Sequence, residues 1–283
     1  MAVYYRPHTL DDALGFLAET PATVTAGCTD LFPATRRRAL EGPILDITGI
    51  SALRGITKAP DHIRIGANTR WSDIIRADLQ PAFDMLKQAA VEVGSVQIQN
   101  AGTLAGNICN ASPAADGVPC LLALNAIVEI ASAKGARTLP LTDFITGVRQ
   151  TALAPDEIVT ALLVPTPDGQ SRFLKLGARK YLVISIAMVA ARLVTDSGHV
   201  TSAAVAVGAC SAVATRLPTL EKALTGRRID ASLTTCATGA LIAEDLSPID
   251  DIRADAAYRT HAATQLIRRA LNDLADQTTG AAA

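Results

Sequence analysis

The densest concentration of binding chemistry in this 283-residue chain is an eighteen-residue run from Asn100 to Gly117. It carries the amides of Asn100, Asn107 and Asn110, the hydroxyls of Thr103 and Ser112 and one carboxylate, Asp116, with no Lys, Arg or His. Such a set is poorly suited to acid–base work and well suited to holding a polar ligand. Gly102 and Gly106 can take positive φ and let the main chain approach a ligand, and successive backbone N–H groups can form an anion-binding concavity. A second run of this kind, Ala26-Gly27-Cys28-Thr29-Asp30-Leu31, lies upstream, after the apolar Val24. Two such loops suit a diphosphate.

These loops need elements to position them. Thr9-Leu10-Asp11-Asp12 reads as a capping-box start, and Leu10, Ala13, Leu14 and Leu17 share one helical face, which predicts a helix from Leu10 to about Glu19. A strand over 23–26, a tight turn over 27–30, a helix over 31–40 and a strand over 44–47 complete a βαβ-type unit whose glycine turn opens onto a helix N-terminus. Alternation over 56–66 indicates short strands. Helices are expected over 71–76 and 81–93, the second with Pro81 at its start and Gly94 as its stop. After the 100–117 loop the pattern predicts a helix over 121–124 and strands over 126–132, 138–141 and 158–164. Pro165-Thr166-Pro167-Asp168-Gly169 reads as a linker. It divides the chain into residues 1–168, with subdomains of about 1–54 and 55–168, and residues 169–283. Strands over 173–176, 186–194 and 200–207 follow, the last two joined by the hairpin signature Asp196-Ser197-Gly198. Helices over 217–224, 232–244 and 256–274 close the chain, with a frayed end over 276–283. Segregated strands and helices argue for α+β rather than a doubly wound sheet.

Composition narrows the function. With 49% apolar residues the chain can bury a large core, and a formal net charge of -1 gives no broad attraction to nucleic acid or anionic membrane. The basic triplet Arg36-Arg37-Arg38 reads as the solvated face of a helix. No signal peptide is expected, because Arg6, Pro7 and His8 interrupt the N-terminus. The apolar stretch from Leu182 to Ala191 falls short of the ~20 residues of a membrane span. The expected location is cytoplasmic. Cysteines 28, 109, 120, 210 and 236 show no CxxC spacing and the four histidines are scattered, so neither a disulfide framework nor a metal or iron–sulfur site is expected.

The two glycine-bearing runs resemble the flavin-binding medium subunit of molybdenum hydroxylases, the family that includes xanthine dehydrogenase and carbon monoxide dehydrogenase. That family carries AGGTDL and QIRNxGTxGGN loops followed by an ASPxxD segment. Here these stand as Ala26 to Leu31, as Gln97 to Asn107, and as Ala111-Ser112-Pro113 with Asp116. Further matches are Tyr5-Arg6-Pro7, Asp156-Glu157-Ile158-Val159, Phe173 to Arg179 and Asp251 to Arg259, so the resemblance covers almost the whole chain. Two departures stand out. Cys28 replaces the family's second Gly and Ala105 the first Gly of a pair, and either is expected to tighten the backbone's approach because a Cβ disfavours positive φ.

The resemblance implies a two-part FAD-binding domain of the PCMH/vanillyl-alcohol-oxidase type followed by a smaller α+β domain of antiparallel sheet and helices. It implies FAD as cofactor. Val24, Thr25, Ala26, Gly27, Cys28, Thr29, Asp30 and Leu31 would wrap the diphosphate, completed by Thr103, Leu104, Ala105, Gly106 and Asn107, with the Thr29 and Thr103 hydroxyls as donors. Asp30, repelled by a diphosphate, suits a helix cap better than a cofactor contact. Asp116 suits the ribityl or ring N–H groups of the flavin, with an N-cap as the alternative. Lys175 matches the family's flavin-contacting lysine, with a solvent-facing strand lysine as the alternative. Val93 and Val159 would be backbone or packing contacts, and Tyr181 a ring-stacking aromatic. No residue needs to act as nucleophile or base, because the chemistry belongs to the flavin. The implied partners are a molybdopterin-binding large subunit and a [2Fe-2S] small subunit. The expected role is electron transfer from iron–sulfur clusters to NAD or another acceptor. The alternatives are a carbon monoxide dehydrogenase-like subunit with a quinone or cytochrome acceptor, and a non-redox scaffold that has lost FAD.

Overall fold

In the computed structural model, which describes residues 3–35 and 40–280, contacts divide the chain into two compact units. The first comprises residues 1–77, 95–111 and 126–166, and the second residues 78–94, 112–125 and 167–283. The triplet Arg36-Arg37-Arg38 lies outside the described residues.

The first unit begins as the expected βαβ arrangement. Thr9 caps the helix Leu10–Glu19 by accepting the Asp12 N–H at 3.1 Å, and Ala13, Leu14 and Leu17 are its buried face. Strands Tyr4–Tyr5, Ile44–Asp46 and Thr23–Thr25 form a parallel sheet with Ile44–Asp46 at its centre. Leu45, Ile47, Ile50 and Leu53 pack beside Leu14 and Leu17 in one apolar cluster. A second, antiparallel sheet runs in the order Ile56–Lys58, His62–Gly66, Ile158–Pro165, Ile127–Ser132, Gly135–Pro140. Its central strand Ile158–Pro165 is almost wholly buried, as expected for a strand flanked by neighbours on both edges.

The second unit is built on the antiparallel strands Gln170–Leu176, Ala187–Asp196, His199–Gly208 and Thr215–Arg216. Ser197 and Gly198 take φ of +49° and +76°, the left-handed pair that a tight hairpin turn requires. Residues 187–193 are buried without alternation, because the helices Ala256–Gly280 and Gly117–Ala123 both pack against that strand. Side chains hold residues 78–94 and 112–125 to this unit. Ser171 Oγ donates to Pro81 O and accepts from Met85 N–H, and Gln88 Oε1 accepts from Phe173 N–H. Arg192 Nε donates to Ala123 O at 3.1 Å, and Arg216 Nη1 to Leu122 O at 3.0 Å, so two guanidinium groups satisfy the carbonyls at the end of the Gly117–Ala123 helix. The units are thus discontinuous in sequence.

Several elements differ from the sequence pattern. The helix expected over 31–40 is the single turn Leu31–Ala34, since Thr35 is extended. The helix expected over 232–244 breaks at Ala237 into Leu233–Cys236 and Gly239–Ala243, and Thr238 caps the second. The last helix continues to Gly280, through a region expected to fray. Strands Tyr4–Tyr5, Ile145–Gly147, Gln150–Thr151 and Thr215–Arg216 are too short to show a period of two.

Asp251 anchors the start of the last helix. Its carboxylate accepts from Arg253 N–H at 2.7 Å and from Arg259 Nη2 at 2.5 Å. Burial pushes this carboxyl up, but those hydrogen bonds and the Arg253 and Arg259 charges outweigh it and hold it at about 2. A depressed carboxyl stabilises the fold above its unfolded value, near 3.9, and loses that contribution as pH falls through the folded value. Lowering the pH from about 4 to about 2 should therefore lower stability, by less than the shift alone would give because solvent screens this exposed carboxylate. In urea unfolding across that range, Asp251→Asn should be less stable at neutral pH and show a flatter acid limb.

Candidate functional site

Strand Thr23–Thr25 delivers the chain into the first glycine run beside the end of Ile44–Asp46, Thr25 pairing with Asp46. Gly27 does not need a special φ there; it needs the absence of a side chain. A Cβ at Gly27 would overlap the Ala101 carbonyl and lie 2.8 Å from Gly102 Cα. The two runs therefore meet backbone to backbone. Cys28, by contrast, sits at φ +56°, the left-handed region that costs a residue with a Cβ about 1–2 kcal/mol. Its Sγ lies 3.5 Å from Ala26 O, and burial pushes the thiol up from its ordinary value. Among the described residues, no protein acceptor takes the N–H groups of Gly27, Cys28, Thr29 or Asp30. Asp30 is exposed and makes no side-chain cap, a correction to its expected role. The helix behind it is one turn long, so it contributes little of the dipole expected to favour a phosphate.

The second run is not a loop. Ser95 Oγ accepts from Ile98 N–H and starts the helix Val96–Ala101. Thr103 Oγ1 accepts from Gly106 N–H at 3.0 Å and starts the helix Leu104–Asn110. Between them Gly102 is extended, with φ −63° and ψ 140°. Neither Gly102 nor Gly106 uses positive φ. A Cβ on Gly102 would lie 3.2 Å from Thr29 Oγ1 and 3.4 Å from Trp71 Cδ1, and one on Gly106 would lie 2.9 Å from Thr103 Oγ1. Ala105 is helical, so its Cβ carries no backbone penalty, and the tightening expected at this position does not arise. The Ala105 N–H has no acceptor among the described residues. The Thr103 oxygen is already an acceptor for Gly106, leaving only its hydroxyl proton to donate.

Val24, Thr25 and Leu104 are partly or wholly buried and offer a ligand backbone rather than side chain. Asn107 is half-buried on the Leu104–Asn110 helix. Val159 is buried in the strand Ile158–Pro165, where it is part of the core.

In the second unit, Asp116 and Lys175 form an ion pair of 2.7 Å, with side chains only 8% and 6% exposed. The solvent-facing alternative for Lys175 is thereby overturned. Asp116 stands at the start of the helix Gly117–Ala123 in right-handed helical conformation and makes no cap, so its N-cap alternative falls as well. Its two oxygens are separately engaged, Oδ2 by Lys175 Nζ and Oδ1 by Ser185 Oγ at 2.6 Å. Burial pushes the Asp116 carboxyl up from its ordinary value, against the pull of Lys175 and Ser185. Lys175 also donates to Glu92 O at 3.4 Å, beside Val93, which closes the helix Asp84–Glu92. Ser185 escaped the sequence reading, since a lone serine ahead of a buried strand carries no signal. Tyr181 is 64% exposed, with Lys180 Nζ 5.1 Å from its ring centroid. No group of three or more His, Cys, Asp or Glu among the described residues is arranged to hold a metal.

Among the described residues, the amides over Gly27–Asp30 take no protein acceptor in the first unit, and the second unit holds its own buried ammonium, that of Lys175. Residues 1–167 match the FAD-binding domain of molybdopterin dehydrogenases, and residues 172–274 the C-terminal domain of CO dehydrogenase flavoproteins. The glyceraldehyde dehydrogenase medium chain of Sulfolobus acidocaldarius is 29% identical, covering 96% of this chain and 98% of that one. The putative xanthine dehydrogenase FAD-binding subunit of Escherichia coli is 31% identical, covering 96% and 95%. The reconstituted CO dehydrogenase of Oligotropha carboxidovorans superposes with a TM-score of 0.90 at 28% identity over 98% of both chains. The chain belongs to the flavoprotein-subunit family of the molybdenum hydroxylases. It is an oxidoreductase subunit with FAD as its cofactor and the family's two-domain α+β fold.

Gly27→Ala should force the two runs apart and lose bound flavin while the circular dichroism of the helices is retained. Cys28→Gly should keep flavin and gain up to about 1 kcal/mol, the relief of left-handed strain less the entropy glycine adds to the unfolded chain. Flavin-to-protein ratio and urea unfolding read both outcomes.

Proposed function

We propose that this chain is the electron-relaying subunit of a xanthine dehydrogenase-like complex, receiving electrons from the iron–sulfur clusters of a partner and delivering them to NAD. The observation that carries the reading is the row of amides over Gly27–Asp30 that take no acceptor among the described residues, held against the Ala101–Gly102 backbone, a donor set matched to a diphosphate. In this reading Val24 to Leu31 and Thr103 to Asn107 hold the diphosphate, while Asp116 and Lys175, with Val93 and Val159 as packing contacts, serve the flavin. Held by these residues, FAD would supply the one- and two-electron redox chemistry, so no residue of this chain need act as nucleophile or base.

The residues orient and tune. Lys175 directs one N–H to Asp116 and one to Glu92 O, which leaves a third for a ring carbonyl or nitrogen. Because Asp116 balances its charge, the pair presents a directed donor rather than a bare cation. The family's medium subunits support a molybdopterin-binding large subunit and a [2Fe-2S] small subunit as partners, in a cytoplasmic heterotrimer. The likeness to the CO dehydrogenase favours a second reading, in which a quinone or cytochrome replaces NAD.

The protein reduced by dithionite under anaerobic conditions should recover its oxidised flavin spectrum on addition of NAD. Failure to reoxidise overturns the NAD reading and leaves the quinone or cytochrome acceptor. Lys175→Met should lower the flavin reduction potential by roughly 30 mV or more, the equivalent of a tenfold change for a two-electron couple. Loss of the donor destabilises the anionic reduced form, and an unpaired Asp116 adds to the effect. A dye-equilibration titration measures it.

A further inference from the structure

Arg259 is the most deeply buried charged residue among the described residues of the second unit, 1% exposed, and the relay just described gives it no task. It lies on the helix Ala256–Gly280 and aims its guanidinium at backbone. Nη1 donates to Ile186 O at 2.6 Å and to Ala209 O at 2.5 Å, while Nη2 is fixed by Asp251 at 2.5 Å. The positions of those two carbonyls matter. Ile186 follows Ser185, whose hydroxyl holds Asp116 Oδ1, and the Ile186 N–H donates to Leu176 O at 2.8 Å, next to Lys175. Ala209 donates its own N–H to Pro113 O at 2.9 Å, three residues before Asp116.

Ala209 also sits at φ +62°, a conformation that a residue with a Cβ avoids. It is held there from both sides, its N–H by Pro113 and its carbonyl by Arg259. A strained residue persists only where its surroundings over-determine it, and here the surroundings are the segment that carries Asp116 and the guanidinium that also holds Ile186. All three members of the cluster are thus tied, within three residues along the chain, to an atom that Arg259 fixes directly or through one backbone hydrogen bond.

We propose that Arg259, braced by Asp251, is a positioning residue for the Asp116–Lys175–Ser185 cluster, setting the separation of the three backbone segments that bring these side chains together. Its bearing on the cofactor rests on the flavin reading above; the positioning itself does not. A guanidinium is needed because its planar fork reaches two carbonyls and a carboxylate at once, which an ammonium on a shorter stem does not reproduce.

The test compares Arg259→Lys with Arg268→Lys in the full chain. Arg268 is on the same helix and also donates to a carbonyl, that of Ala237 at 2.8 Å, but touches none of the segments above. Hydrogen exchange of the flavin-free protein should be about tenfold or more faster over 113–117, 174–177, 184–187 and 209–210 in Arg259→Lys, and unchanged there in Arg268→Lys. The flavin-loaded Arg259→Lys protein should show a shifted visible spectrum, with the Arg268→Lys spectrum as wild type. Exchange that rises evenly over the second unit, or equally in both variants, assigns Arg259 a general stabilising role and overturns the proposal, as does unchanged exchange. If Arg259→Lys fails to fold, Asp251→Asn, which removes only the brace, is read by the same exchange pattern and the same criteria. A wild-type chain that takes up no flavin defeats the functional reading alone, because the exchange measurement decides the positioning role without it.

Discussion

The approach of two backbones, Gly27 onto Ala101 and Gly102, is the constraint on which the arrangement of the first unit's two glycine runs depends. Two polar main-chain segments at van der Waals distance leave no room for side chains between them, so each must be built from residues that have almost none. That requirement explains Gly27, where a Cβ would overlap a carbonyl, and Gly102, which is wedged among Ile98 O, Thr29 Oγ1 and Trp71. It also determines which amides remain unbonded. The N–H groups over Gly27–Asp30 are neither paired in the parallel sheet nor taken up by the one-turn helix that follows. Unbonded donors of this kind are tolerated where water or a ligand completes them.

The second unit solves a different problem, that of keeping charge buried. Asp116 and Lys175 leave water almost completely, a transfer whose penalty the pair's mutual attraction offsets only when the remaining valences are satisfied. Ser185 and Glu92 O satisfy two of them. Elsewhere in this unit guanidinium groups reach backbone carbonyls. Arg192 and Arg216 close the end of the Gly117–Ala123 helix, and Arg259 bridges Ile186 and Ala209. Guanidinium suits this work, since it is weakly hydrated and carries five donors in a fixed plane. Arg192 and Arg216 help keep residues 112–125 in this unit, although those residues stand in sequence between segments of the other.

Whatever rests on local pattern could be read from the sequence, and whatever rests on meetings across the chain could not. The Thr9 cap, the apolar face of Leu10–Glu19, Pro81 and Gly94 around the fourth helical stretch and the Ser197-Gly198 turn each announce themselves within a few residues. The two glycine runs stood out by their composition. Their conformations were not legible, because small polar residues suit both a loop and a pair of capped helices. Ser95 and Thr103, each capping the helix that follows, were the signals that could have decided it. The partners of Asp116 lie 59 and 69 residues away, beyond any periodicity. Arg259 could be assigned to the start of a helix, but nothing in its neighbourhood disclosed that it would be buried.

Two departures from the family's glycine pattern look equivalent as letters and differ as physics. Ala105 occupies a helical position, where alanine is the residue of lowest backbone cost, so replacing glycine there stabilises the Leu104–Asn110 helix. Cys28 occupies a left-handed position, where the same change adds strain. The strain falls on the run whose amides are unbonded, and it persists because the neighbouring residues leave no alternative path. Gly27 cannot withdraw from Ala101 without opening the contact between the runs, and Phe32 N–H is drawn to Cys28 O at 3.4 Å on the other side. Backbone contact between the runs therefore both creates the donor row and holds its one strained residue in place, which is why Gly27, rather than Cys28 or Ala105, is the position at which substitution is least tolerable.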